Sequence, residues 1–136
     1  MAEIPASING VSVELSSTAV NDVDQRLVDG LKECIKSQVA EGHTLTSIYI
    51  SSAYDSHADT SRHMQHKGVD ISRINGTKIV IGYPQGGAVT AIVDAIQDAF
   101  EGYSHKRENF GPHLKLKLGQ AWTVSGHGDH IHLSVN

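Results

Sequence analysis

Val69-Asp70-Ile71-Ser72-Arg73-Ile74-Asn75-Gly76-Thr77-Lys78-Ile79-Val80-Ile81 is the stretch on which the fold turns. Val69 and Ile71 flank Asp70 at strand spacing, and Asn75-Gly76 separates them from the β-prone run Lys78, Ile79, Val80 and Ile81. An Asn-Gly pair suits the left-handed positions of a tight turn, so the chain is expected to double back there as an antiparallel hairpin with Asp70 on its first arm. Upstream, Ile48, Tyr49 and Ile50 read as another strand, and Val11, Val13 and Leu15 alternate with polar residues as a half-buried strand does. Downstream, Leu114, Leu116 and Leu118 alternate with lysines, and residues 130–135 read as the last strand.

Two segments break this pattern with helical spacing. Val23, Leu27, Leu31, Cys34, Ile35 and Val39 form one apolar stripe, with Asn21 placed to cap its start and Gly42 to end it. Gly30 costs that helix about 1 kcal/mol relative to alanine. Val89, Ile92, Val93, Ile96 and Phe100 form the second stripe, after the Gly86-Gly87 break. Two helices and about five short strands without regular βαβ alternation predict an α+β fold. In it a small antiparallel sheet carries the functional site on one face and packs two helices on the other.

With 136 residues, 39% of them hydrophobic, the chain makes one domain, residues 1–136, with one modest core. A net charge of −4 provides no basic stripe, so nucleic acid is not an expected partner. Residues 1–10 contain no apolar run of signal-peptide length and no stretch is long enough to cross a bilayer, so neither an export signal nor a membrane partner is expected. Cys34 is the single cysteine, so any metal must be held by histidines and carboxylates; on the apolar face of the first helix it reads as core.

Histidines are concentrated where such a site would need them. Of 9 in the chain, three fall in His127-Gly128-Asp129-His130-Ile131-His132. Residues two apart on a strand share a face, so His130 and His132 are expected to point into one site while Ile131 enters the core. A second cluster, Ser61-Arg62-His63-Met64-Gln65-His66-Lys67-Gly68-Val69-Asp70, sets His63 seven residues before Asp70. His63, Asp70 and His132 would leave a fourth tetrahedral position open, the layout of a catalytic zinc site. Zinc so held activates water and polarises a carbonyl, both of which peptide hydrolysis requires.

These motifs resemble a known group of zinc peptidases from about residue 22 to the end. The strand ending Ser51-Ser52-Ala53-Tyr54, then Ser61-x-His63, Asp70, a second helix and Asp129-x-x-His132, is similar to D-Ala-D-Ala carboxypeptidases, phage L-alanyl-D-glutamate endolysins, murein endopeptidases and the hedgehog signalling domain. Ser61, His63 and Asp70 match that group's S-x-H-x-x-G-x-A-x-D, and His127, Asp129, His130 and His132 resemble the penicillin-insensitive murein endopeptidases. Asp70-Ile71-Ser72-Arg73-Ile74-Asn75-Gly76 and Glu108-Asn109-Phe110-Gly111-Pro112 look like small phage and prophage members. The chain departs from the group at His66, where glycine is usual, at Gly68, where alanine is, and at Asp55, where many members carry a substrate-binding arginine.

The resemblance implies a zinc metallopeptidase, a hydrolase of cell-wall peptidoglycan, with zinc on His63, Asp70 and His132, Asp129 as general base, and His130 and His127 on the oxyanion or orienting the ligands. Ser61, Arg62, Tyr54 and His113 are the substrate-contact candidates, and Arg62, Arg73 or Arg107 could serve in place of the missing arginine. It implies a monomer cutting an amide bond in murein stem peptides or cross-links, as a phage endolysin or virion-associated lysin in bacteriolysis. Such a protein is synthesised in the cytoplasm and acts at the wall or periplasm after release, or is carried in a virion. The alternatives are a D-Ala-D-Ala carboxypeptidase of the same fold and an inactive wall-binding module. A rival ligand set, His66 and Asp70 with His130-x-His132, resembles lysostaphin-type endopeptidases, which are built almost wholly of strands.

Overall fold

The alternation at residues 11–15 produces a strand whose Val11 and Val13 are buried while Ser12 and Glu14 are exposed. The computed structural model describes residues 2–53 and 66–136. In chain order these form β1 (Ser7–Ile8), β2 (Val11–Leu15), α1 (Gln25–Cys34), β3 (Ser47–Ser52), β4 (Gly68–Ile74), β5 (Thr77–Lys78), the single turn α2 (Ile79–Gly82), a 3-10 turn (Tyr83–Gln85), α3 (Ala88–Phe100), β6 (Lys106–Phe110), β7 (Lys115–Lys117), β8 (Gln120–Ala121) and β9 (Ile131–Val135). The polar segment from Asp55 to Arg62, which its composition would set in a loop, lies outside the described residues.

The class is α+β, with a larger sheet than the expected five strands. Nine strands are ordered β1-β2-β3-β4-β9-β6-β7-β8, with β5 on β4. Pairing is antiparallel except between β2 and β3. The last strand, β9, enters between β4 and β6 and brings the C-terminal histidines to the centre of the sheet.

That insertion corrects the reading of residues 78–81. The Asn75-Gly76 hairpin forms, but its second arm pairs only at Ile74–Thr77 and Arg73–Lys78. Continued in register it would set Val80 opposite Ile71, whose edge is already occupied by Ile131 of β9. Residues 79–82 therefore coil into α2, which buries Ile79 and leaves Val80 and Ile81 exposed.

The first helix is shorter than its apolar stripe. Asp24, rather than Asn21, caps α1 by accepting from the Arg26 amide at 2.9 Å. Asn21 instead accepts from the Ile4 amide at 2.6 Å and donates to the Ile4 carbonyl at 2.9 Å, tying down the N-terminal segment. At the other end Asn9 donates to the carbonyls of Lys32 and Ile35 at 2.9 and 3.0 Å, satisfying groups the helix leaves open. Gly30 has a packing role that its helix propensity hides. A Cβ there would lie 3.0 Å from the Tyr103 ring and 3.1 Å from Phe100, so the glycine lets α1 close onto the end of α3.

The core lies between these helices and one sheet face. Leu27, Leu31 and Cys34 of α1 and Ile92, Val93, Ile96 and Phe100 of α3 are buried with Ile71, Ile131, Leu133 and Val135. One polar side chain, Gln97, is fully buried on α3. Its amide nitrogen donates to Asn109 Oδ1 and the Leu114 carbonyl, and its oxygen accepts from the amides of His113 and Leu114. It thereby fixes β6 and the loop after it, and a Cβ on Gly111 would lie 2.6 Å from its oxygen.

Candidate active site

The register of the central strands builds the site. Asp70 of β4 and Phe110 of β6 are both Cα partners of His132 on β9, from opposite sides. Alternation along β9 sends Ile131, Leu133 and Val135 toward the helices and His132 and Ser134 to the other face. On that face Asp70 Oδ1 lies 2.9 Å from His132 Nδ1 and Glu108 Oε1 lies 3.1 Å from His132 Nε2. Glu108 Oε1 also accepts from the Ser134 hydroxyl at 2.8 Å, and that hydroxyl oxygen accepts from the Glu108 amide at 3.0 Å. The Phe110 ring stacks on His132 with centroids 5.8 Å apart.

Both partners are displaced from ordinary titration. Burial by itself would lower His132, but its hydrogen bonds to Asp70 and Glu108 outweigh that and raise it to about 9. Burial by itself would raise Glu108, yet its bonds to His132 and Ser134 hold it down at about 2.

Asp70 and His132 suit a zinc ion. Ligands at about 2.0–2.1 Å in a tetrahedron stand about 3.3 Å apart, so the 2.9 Å gap between Oδ1 and Nδ1 would need to open only slightly. Glu108 holds the other imidazole nitrogen, as an outer carboxylate does when it fixes the tautomer and orientation of a metal-binding histidine. Two members of the expected ligand set thus converge. The third, His63, lies outside the described residues, as do Tyr54, Ser61 and Arg62. Among the described residues no three His, Cys, Asp or Glu side chains form a group able to hold a metal.

The preceding loop adds two more imidazoles. His130 Nε2 is 3.8 Å from Asp70 Oδ1, and its Nδ1 is 2.7 Å from Asp129 Oδ1, so the ring spans the two carboxylates. The His127 ring stands 4.9 Å from His130, 6.0 Å from His132 and 5.2 Å from Phe110. Burial and the neighbouring His130 and His132 charges lower the pKa of His127, favouring its neutral form, and its Nδ1 faces the Ser125 carbonyl at 2.8 Å. Asp129 escapes strand alternation because β9 begins only at Ile131. A left-handed turn at Gly126, with φ of +80°, precedes it.

Other candidates go elsewhere. His113 is not brought to this cluster: its ring is held by Asp98 at 2.9 Å and Asp94 at 3.5 Å on α3. The His66 ring reaches the Asp22 carbonyl on the segment before α1. Glu108 was the omission. It stands in the Glu108–Pro112 stretch, where Glu108 and Phe110 share one face of a strand.

Compared with known protein families, with curated proteins and with solved structures, the chain matches none. Among the described residues no single helix is long and apolar enough to cross a membrane.

Proposed function

We propose that this chain is a zinc-dependent peptidase of the hedgehog and D-Ala-D-Ala peptidase type, acting on the stem peptides or cross-links of murein. The observation that carries the reading is the facing pair Asp70 Oδ1 and His132 Nδ1, 2.9 Å apart, with Glu108 securing the far side of the imidazole. Asp70, His132 and His63 are the residues that would hold zinc, which when bound acidifies water and polarises the scissile carbonyl. Asp129, more than half exposed and bonded to His130, serves as the proton acceptor for the attacking water. His127, held toward its neutral form, and His130 supply ring nitrogens to the oxygen that gains charge as the carbonyl is attacked. Asp55 in place of the family's carboxylate-gripping arginine favours an endopeptidase. A phage or prophage lysin, reaching the wall after release or in a virion, is the setting that fits.

Purified murein incubated with the zinc-loaded chain tests this by mass spectrometry. Stem peptides or cross-links should be cut at one amide bond, and a chelator should abolish the cut. Loss of a terminal D-Ala alone would replace the endopeptidase by a carboxypeptidase. Stoichiometric zinc with intact murein would overturn the reading.

A further inference from the structure

Phe110 is buried on the wrong face for a core residue. It is 5% exposed, yet it stands outside the cluster of apolar side chains enclosed by the helices and the sheet. Its neighbour Asn109 bonds to Gln97 of α3, so alternation along β6 turns Phe110 to the opposite face, where the candidate site lies. Imidazoles cover it there: His132 stacks on it with centroids 5.8 Å apart and 22° between planes, and His127 stands 5.2 Å away at 60°. We infer that Phe110 is a positioning residue that docks the His127 ring onto the sheet, in the place from which it meets the oxygen of the attacked carbonyl. This rests on the peptidase reading above and adds to that site the residue that sets one of its imidazoles.

The two histidines do not need Phe110 equally. His132 belongs to β9 and has a carboxylate on each ring nitrogen, Asp70 at 2.9 Å and Glu108 at 3.1 Å, so its plane is fixed without a further contact. His127 comes from the stretch between β8 and β9, which has no regular secondary structure, and its Nδ1 bonds to the Ser125 carbonyl two residues away in that same stretch. Such a bond orients the ring relative to its own loop and does not hold the loop against the sheet. The His130 ring, 4.9 Å away, is on the same loop, and His132 is more distant at 6.0 Å. Phe110 is therefore the near surface of the sheet against which His127 is set.

That surface is itself held firmly. Gln97 bonds to Asn109 just before Phe110 and accepts from the amides of His113 and Leu114 just after it. Between them Gly111 packs so close that a Cβ would lie 2.6 Å from the Gln97 oxygen. A buried polar side chain of α3 thus fixes the part of β6 that carries the ring. Aromatic rings prefer particular tilts and offsets, so the contact selects an orientation for the imidazole. It does so without consuming a ring nitrogen, which leaves Nε2 of His127 for the substrate oxygen.

The test uses the zinc-loaded full chain with soluble muropeptides as substrate. Phe110→Leu or, if that chain does not fold, Phe110→Met should lower kcat about three- to tenfold, the rate equivalent of one aromatic pair. KM and zinc content should be unchanged. Phe110→Tyr keeps the ring and should restore the parent rate. Because Phe110 acts through His127, its loss should cost nothing further once His127 is gone, so the double variant Phe110→Leu/His127→Gln should match His127→Gln. Nuclear magnetic resonance supplies a readout independent of turnover: the imidazole Cε1–H signal of His127, assigned with His127→Gln, should broaden in Phe110→Leu while that of His113 stays sharp. Additive losses, an unchanged kcat in either single variant, or loss of zinc from Phe110→Leu would overturn the inference. If the parent cut no muropeptide, the peptidase reading would fail by itself. The resonance would then decide the placement: a broadened His127 signal in Phe110→Leu upholds it, and a sharp one overturns it.

Discussion

Replacing Glu108 by glutamine asks how much of the candidate site is held by charge. His132 is raised from 6.5 to about 9 in the folded chain, which corresponds to about 3 kcal/mol of preference for the folded, protonated form. Burial opposes that shift, so the two flanking carboxylates together supply more than the net value. Glu108, lowered from 4.5 to about 2, is largely the other end of the same interaction and is not added to it. Glutamine keeps the shape and an acceptor for His132 and Ser134 but removes the charge, so Glu108→Gln should cost the metal-free protein about 2 kcal/mol near pH 6.

The sign fixes where this loss is seen. A folded value above the unfolded one gives stability that is complete below about 6.5 and disappears as pH rises through about 9. At the acid end, the Glu108 contribution is present above about 4.5 and lost as pH falls toward about 2. Urea denaturation of parent and Glu108→Gln in a chelator should therefore show a wide gap at about pH 6 that closes by about pH 10. An equal gap at both would mean that Glu108 acts through packing, and the electrostatic account would be wrong.

Other outcomes follow from the same contacts. His132→Ala and Asp70→Ala should lose zinc and murein hydrolysis together, whereas Asp129→Asn should keep zinc, measured by elemental analysis, and slow hydrolysis by about 10²- to 10⁴-fold. A normal rate in Asp129→Asn removes it as base. Gln97→Met keeps length but deletes four hydrogen bonds at a fully buried position, so it should cost about 3 kcal/mol in urea denaturation; a cost under about 1 kcal/mol would show that the β6 loop does not depend on it. Cys34, fully buried and pushed up to about 12, should be inert to a thiol reagent at pH 8 and react fully in denaturant. Reaction at the rate of a free thiol would place it on an accessible surface.

The sequence by itself determined the α+β class, the two principal helices, and the strands at residues 11–15, 47–52, 68–74 and 131–135. It could do so because each carries enough residues to display its period. It also singled out Asp70 and His132, because histidines two apart before an apolar run and a carboxylate between β-branched residues are legible as local chemistry. The two-residue strands β1, β5 and β8 carry no period and were not legible. The insertion of β9 between β4 and β6 was decided by tertiary structure, since pairing of residues sixty or more apart is paid for by the whole core and leaves no local trace. That insertion cut short the hairpin arm at Lys78 and coiled Ile79–Gly82, overruling a strong local preference. It also set His132 between Asp70 and Glu108, two carboxylates from strands that only the closed sheet makes neighbours.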